Sequence, residues 1–204
     1  MLTDEHEQKI REAVQRAEQK TSGEIVPMVV EASSTYPHVD FLGGLLGLIV
    51  GTLSAVWFLP ECKHLWLLGL QALGFVAGFV LCRHAPAVKR SLLSPKLREE
   101  EVFERALRAF RELELHRTRD RTGVLILVSL LERRVHVLAD SGINARVKPG
   151  AWNHVLQIIL DGIRKRDLCG GLCDGIEKCG QILAAEFPLQ SGDRNELGDD
   201  LRRG

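Results

Sequence analysis

The sequence has no excess of either charge: 27 Lys and Arg balance 27 Asp and Glu over 204 residues. Nucleic-acid binding would therefore need a local basic face, and no basic stripe interleaved with aromatic residues stands out, so nucleic acid is excluded as a partner. The opening MLTDEHEQKIREAVQRAEQK lacks the apolar core and small-residue cleavage site of a signal peptide, and nothing in it marks the chain for export. Cysteine is too scarce and too irregular for a disulfide scaffold; five, without a framework spacing, fit reduced thiols on the cytosolic side. The common catalytic signatures are missing as well: there is no G-x-x-x-x-G-K-[ST], no dinucleotide-type glycine triplet after a strand, no G-x-S-x-G and no H-E-x-x-H. Cys169, Cys173 and Cys179 miss the paired C-x-x-C of structural zinc sites, and Cys179, on the Leu172, Ile176, Leu183 face, reads as a small core residue.

What the chain does have is a long apolar block, FLGGLLGLIVGTLSAVWFLPECKHLWLLGLQALGFVAGFVLC, charged only in PECKH at its middle. It divides at Pro60 into residues 41–59 and 65–82. Each piece is about the length a helix needs to cross roughly 30 Å of hydrocarbon. A single small domain does not supply enough core to cover two all-round apolar helices, which argues for a transmembrane hairpin with the lipid bilayer as its partner. Gly43, Gly47 and Gly51 on the first helix, and Gly74 and Gly78 on the second, give each a smooth ridge for close packing. Trp57 and Trp66 flank the turn as interfacial indoles do, and Glu61, Lys63 and His64 keep it in the headgroup region. Arg83, Lys89, Arg90, Lys96 and Arg98 follow without an acid, which by the positive-inside rule fixes that side in the cytoplasm. An even number of spans then brings both flanking segments to one compartment. The same basic stretch would also sense anionic lipid, with an acidic protein as the other reading.

Those flanking segments read as one α/β domain. Ile10, Ala13, Val14 and Ala17 recur at helical spacing after a Thr3 cap, and TSG at 21–23 stops the helix. EIVPMVVE is a strand whose Pro27 indicates an edge or a bulge. Beyond the hairpin, Ser94 and Pro95 open a helix with Phe103, Ala106, Leu107, Phe110 and Leu113 as its apolar stripe. GVLILVSL reads as a strand buried on both faces, and ERR turns it into VHVLAD, antiparallel, with Val135, Val137 and Ala139 on one side. Two helices close the domain, one on Trp152, Val155, Leu156, Ile159 and Ile163, the other ending before Pro188. The expected fold class is α/β, a small mixed-sheet layered sandwich interrupted by a transmembrane hairpin. Its parts are 1–37, the hairpin at 38–90, 91–188, and a polar, mobile tail at 189–204.

Candidate ligands cluster in ADSGINARVKPG, where Asp140 and Asn144 offer hard oxygen atoms around a glycine turn. Asp and Gly are equally ordinary turn residues, and that reading stays open. Glu24, Asp161 and Asp174 lie near element ends and would have to converge on the loop to hold Ca²⁺ or Mg²⁺. His116, His136 and His154 have no nucleophile or orienting acid at a recognisable spacing.

TSGEIVPMVV, GVLILVSLLERRVHVLADSGI and GGLCDGIEKCGQILAAEFP, in that order, resemble the TPM-domain family across residues 1–34 and 95–188. The resemblance implies a compact α/β sandwich. In some members it implies divalent-metal binding or phosphate-ester hydrolysis, and in others help in assembling or maintaining membrane protein complexes. The commoner members carry a signal peptide and an exported domain; this chain has an interior hairpin instead. The expectation is a multi-pass bacterial inner-membrane accessory factor with a cytoplasmic domain and a membrane protein partner. A divalent-metal-dependent phosphatase is the rival, and a pure anchor module the third reading.

Overall fold

The computed structural model describes residues 3–58, 64–148, 150–189 and 195–204, leaving aside the side chains of Phe58, His64 and Leu65. Pro60, Glu61, Cys62 and Lys63 of the expected headgroup turn lie outside the described residues, as does the side chain of His64. The chain forms two compact units, Met1–Ser33 with Glu99–Gly204, and Ser34–Arg98.

In the first unit, helix α1 (Asp4–Glu18) starts on Thr3, whose hydroxyl accepts the His6 N–H while the His6 ring accepts the Thr3 N–H, a reciprocal cap. Strand β1 (Glu24–Val30) runs parallel to β2 (Gly123–Ser129), and β2 pairs antiparallel with β3 (Arg134–Ala139). Every residue of β1 and β2 is buried, which is why both read as unbroken apolar runs. Ile25, Val29, Val124, Ile126 and Val128 face α1 and two later helices, α7 (Asn153–Lys165) and α8 (Leu168–Glu186). Val26, Met28, Val30, Leu125 and Leu127 face Val102, Ala106 and Ala109 of α5 (Pro95–Glu112) and Leu115 just beyond it. Full burial of a branched side chain contributes roughly 1.5–3 kcal/mol, so two such layers on one sheet supply the domain's stability. Helix α5 rotates away from the expected stripe. It buries the small Ala106 and Ala109, letting the helix approach the sheet, and leaves Phe103 and Leu107 exposed.

The segment expected to be a mobile tail instead supplies a fourth strand, β4 (Arg202–Arg203), parallel to β1, giving the order β3-β2-β1-β4. Pro27 therefore lies on an interior strand, yet its missing N–H has a physical place. The Glu24 N–H donates to the Thr122 carbonyl of the β2 side, so alternation turns the backbone of residues 25, 27 and 29 toward the other edge. There the Ile25 N–H is taken by Glu18 at 2.8 Å, the Val29 carbonyl accepts the Gly204 N–H at 3.3 Å, and Pro27 has nothing to donate.

The second unit is a helical hairpin, α2 (Pro37–Phe58) and α3 (His64–His84), followed by α4 (Pro86–Leu92). The stretch after Arg83, read above only as a basic flank, thus contains a helix with Pro86 in its first turn. Both long helices are apolar enough to cross a membrane, and little of either span is covered, 28% and 6%. Their glycine ridges are used against each other: an added Cβ on Gly47 would sit 2.1 Å from the Gly74 carbonyl oxygen, so the backbones touch. Gln71 donates to Thr52 across the pair at 3.1 Å, and at the base Lys89 Nζ meets Asp40 Oδ1 at 2.9 Å and the Thr35 carbonyl at 2.7 Å.

Candidate functional site

One end of the sheet gathers the polar residues. Glu24 opens β1 opposite Gly123, whose carbonyl accepts the Asp140 N–H, so Glu24, Gly123 and Asp140, the residue just after β3, form one row at this end of the sheet. Asp140 caps the four-residue helix α6 (Ser141–Asn144); its Oδ1 accepts the Ser141 N–H at 2.6 Å and the Ser141 hydroxyl at 3.2 Å. The Arg121 guanidinium lies 3.9 Å from Oδ2. Asn144 turns its amide back to the Ala139 carbonyl at 2.6 Å. Gly142 is required here because a Cβ would fall 2.5 Å from the Asp120 carbonyl oxygen.

Of the five sequence-derived ligand candidates, Asp140 and Asn144 thus share a turn, Glu24 shares their end of the sheet, and Asp174 is exposed on α8. Asp161 lies on the exposed face of α7, bound to Arg164 at 2.8 Å. Among the described residues no group of three or more His, Cys, Asp or Glu side chains is placed to hold a metal ion. At the Asp140 turn one carboxylate oxygen is spent on the helix cap and the other faces the Arg121 guanidinium, with which a cation there would compete.

A different feature was not foreseen. A cleft of about 350 Å³ is lined by Gln15, Glu18, Thr21, Glu24, Asn195 and Asp199. Burial, then the Glu24 and Asp199 carboxylates, push the Glu18 carboxyl up to about 9, against the opposing pull of the Ile25 N–H. Glu18 is therefore a neutral acid near pH 7, beside Asp199, which also accepts from Gln15 Nε2 at 2.9 Å and from Asn195 Nδ2. The Thr21 hydroxyl is committed to the Phe187 carbonyl at 2.6 Å. The arrangement is a carboxyl clip that holds chain to chain; the amides and the hydroxyl around it are spent on structure. No local sequence signal points to it, because its parts come from α1, β1 and the last ten residues.

The clip has a pH consequence. Unfolded, Glu18 ionises near 4.5; folded, it keeps its proton to about 9. Between those values unfolding releases a proton, so rising pH favours the unfolded chain. The melting temperature in mild detergent, followed by circular dichroism, is expected to fall from pH 5 to pH 9 and to level off above. Glu18→Gln keeps an acceptor for Ile25 and a donor for Asp199, and is expected to flatten that slope and raise the midpoint at pH 8 by roughly 4 °C. An unchanged slope would mean that Glu18 titrates normally.

The fold and site define a class: a helix-covered mixed α/β sheet, closed at one edge by its own chain, with a hairpin inserted in the crossover between β1 and β2. Residues 90–182 match the model of the TPM domain. No curated protein matches the chain. Among solved structures, the NMR structure of the BA42 protein from the psychrophilic bacterium Bizionia argentinensis is similar over 100% of this chain and 96% of that one, with a TM-score of 0.63 and 24% identity, a likeness of fold.

Proposed function

We propose that the chain is a two-span membrane protein, inserted in a bacterial inner membrane, whose TPM-family domain faces the cytoplasm. There it acts as an accessory factor in the assembly or maintenance of membrane protein complexes. The observation that carries the reading is the hairpin's surface. Its small residues meet inside, and Phe41, Leu53, Val56 and Leu73 point outward with Trp57 82% and Trp66 74% exposed. Such a surface is stable in hydrocarbon and costly in water. The polar groups at the sheet end favour docking over turnover, because Asp140, Asn144 and Thr21 are already engaged by the protein's own backbone.

Topology is tested by membrane-impermeant thiol labelling of intact cells. Cys62 is expected to react, but silence at the buried Cys82, Cys169 and Cys179 would say nothing about sidedness. Cysteines placed at the exposed Glu12 and Lys165 supply that readout, and they should react only after permeabilisation. Labelling of either in intact cells overturns the cytoplasmic placement. Enzyme and accessory readings separate in a second measurement: the full chain is titrated calorimetrically with Ca²⁺ and Mg²⁺ and assayed for phosphate-ester hydrolysis beside Asp140→Ala. The accessory reading expects no turnover, and copurification with a membrane complex in mild detergent. Metal-dependent turnover lost in Asp140→Ala would make the protein a phosphatase.

A further inference from the structure

Residues 195–204 follow the exposed face of α1 in register. Asp199 accepts from Gln15 at 2.9 Å, Asp200 meets Arg11 at 2.5 Å and Arg203 pairs with Glu7. Residues 15, 11 and 7 are successive positions of one helical row, so the segment reads one α1 residue per turn while running antiparallel to the helix. Leu201 packs on the core cluster between them, and on the other side β4 adds to β1, with Met28 opposite Arg202 and Val29 opposite Arg203. At the far end the Glu196 N–H donates to Glu24 Oε1 at 3.1 Å, and its carboxylate accepts the Arg119 N–H at 2.9 Å.

We propose that the groove between the outer edge of β1 and the exposed face of α1 is an acceptor for an extended polypeptide segment carrying two adjacent acids and, three residues after the second, an arginine; residues 195–204 occupy it in cis. The occupant is argued from charge and backbone together. The edge takes an extended chain in parallel register, and the helix row presents an amide, a cation and an anion in the order that matches Asp199, Asp200 and Arg203. The seated segment is displaceable: its ladder is two residues long, and its ion pairs are mostly exposed, a kind worth about 0–1 kcal/mol each. A partner offering a longer strand of the same charge pattern would gain ladder bonds the native segment lacks, which is strand addition. This rests on the accessory reading and names the kind of partner: a protein with an exposed, extended acidic–basic segment.

The test uses the full chain in mild detergent and a variant lacking residues 195–204. The probe is a fluorescent peptide, NELGDDLRRG, read by anisotropy against a scrambled peptide. The shortened chain should bind the peptide, and the full chain should bind it at least about tenfold more weakly, because a tethered segment competes at an effective concentration near millimolar. In the shortened chain, Glu7→Arg with Arg11→Glu should abolish binding, and a peptide with the two partner charges exchanged should restore it. No binding to a folded shortened chain, or binding indifferent to the exchange, overturns the proposal. If the shortened chain does not fold, hydrogen exchange in the full chain decides. Glu7→Arg with Arg11→Glu should speed exchange of residues 200–204 by about tenfold or more while β2 stays protected, and unchanged exchange overturns the proposal. A concentration-dependent dimer that the shortened chain cannot form would make the occupant a second copy and also overturn it. Copurification with a membrane complex that survives loss of peptide binding leaves the accessory reading standing without this surface.

Discussion

Lys89→Ala is expected to destabilise the hairpin unit by about 3–5 kcal/mol, the cost of leaving a buried carboxylate without its partner. Lys89 and Asp40 are 11% and 6% exposed, and the ammonium contacts both Asp40 oxygens, at 2.9 and 3.2 Å, as well as the Thr35 carbonyl. The lysine therefore neutralises the start of α2 and ties the segment before it to α4. Removing both charges is a different experiment. Asp40→Leu with Lys89→Met fills the same space without desolvating an ion, and is expected to recover most of the loss, because a buried ion pair contributes little against an apolar replacement. The readout is the unfolding midpoint in mild detergent for the two single variants and the double. Loss in both variants that remove Lys89, with Asp40→Leu nearly neutral, would mean that the Thr35 contact, rather than the ion pair, holds the base together.

What could be read from the sequence follows the range of the forces involved. The Thr3 cap, the unbroken apolar run of β2 and the alternation in β3 are local, and each appears where its residues require it. Ser94 likewise caps α5, accepting the Leu97 N–H at 3.2 Å. The face of α5 was not local information. Phe103 and Leu107 are the larger apolar residues, but the helix settles on the sheet through Val102, Ala106 and Ala109 and leaves Phe103 beside His136, ring centres 5.7 Å apart. The edge strand was hidden for a related reason. Two arginines have no strand signature, and their place beside β1 goes with contacts from distant residues, Arg203 to Glu7 and the neighbouring Asp200 to Arg11.

The candidate site divides the same way. Asp140, Gly142 and Asn144 were visible as a turn, and the turn is there, with Asp140 Oδ1 and the Asn144 amide nitrogen bonded to its own backbone. Glu18 gave no signal, because a glutamate near the end of an amphipathic helix is ordinarily solvated. Its shift depends on burial and on Glu24 and Asp199, and Asp199 arrives from the other end of the chain.

The glycine ridge of the hairpin supports the second large expectation, and the structure supplies its own control. Gly47 and Gly74 approach so closely that a Cβ on the first would lie 2.1 Å from the carbonyl oxygen of the second, and one on Gly78 would lie 2.3 Å from that of Gly43. The obstructing atoms are backbone, so no rotamer change can relieve them. Gly47→Leu must push the helices apart, separating the Gln71–Thr52 hydrogen bond and the contacts on either side, at a cost of about 3 kcal/mol or more, the upper end for overpacking. Gly69 sits on the same hairpin with nothing within 4 Å of an added Cβ. Gly69→Leu should therefore be neutral or slightly stabilising, since it exchanges a poor helix former for a good one and its Cβ meets no neighbouring atom. Reconstituted in vesicles, the two variants have equal hydrophobicity and length and differ only in which face they enlarge. Loss of the hairpin in Gly47→Leu alone, read as lost crosslinking between cysteines placed at Thr52 and Gln71, fits a hairpin held by backbone contact. Equal loss in both would mean that the ridge is incidental and that only the turn and the Asp40–Lys89 base hold the spans together.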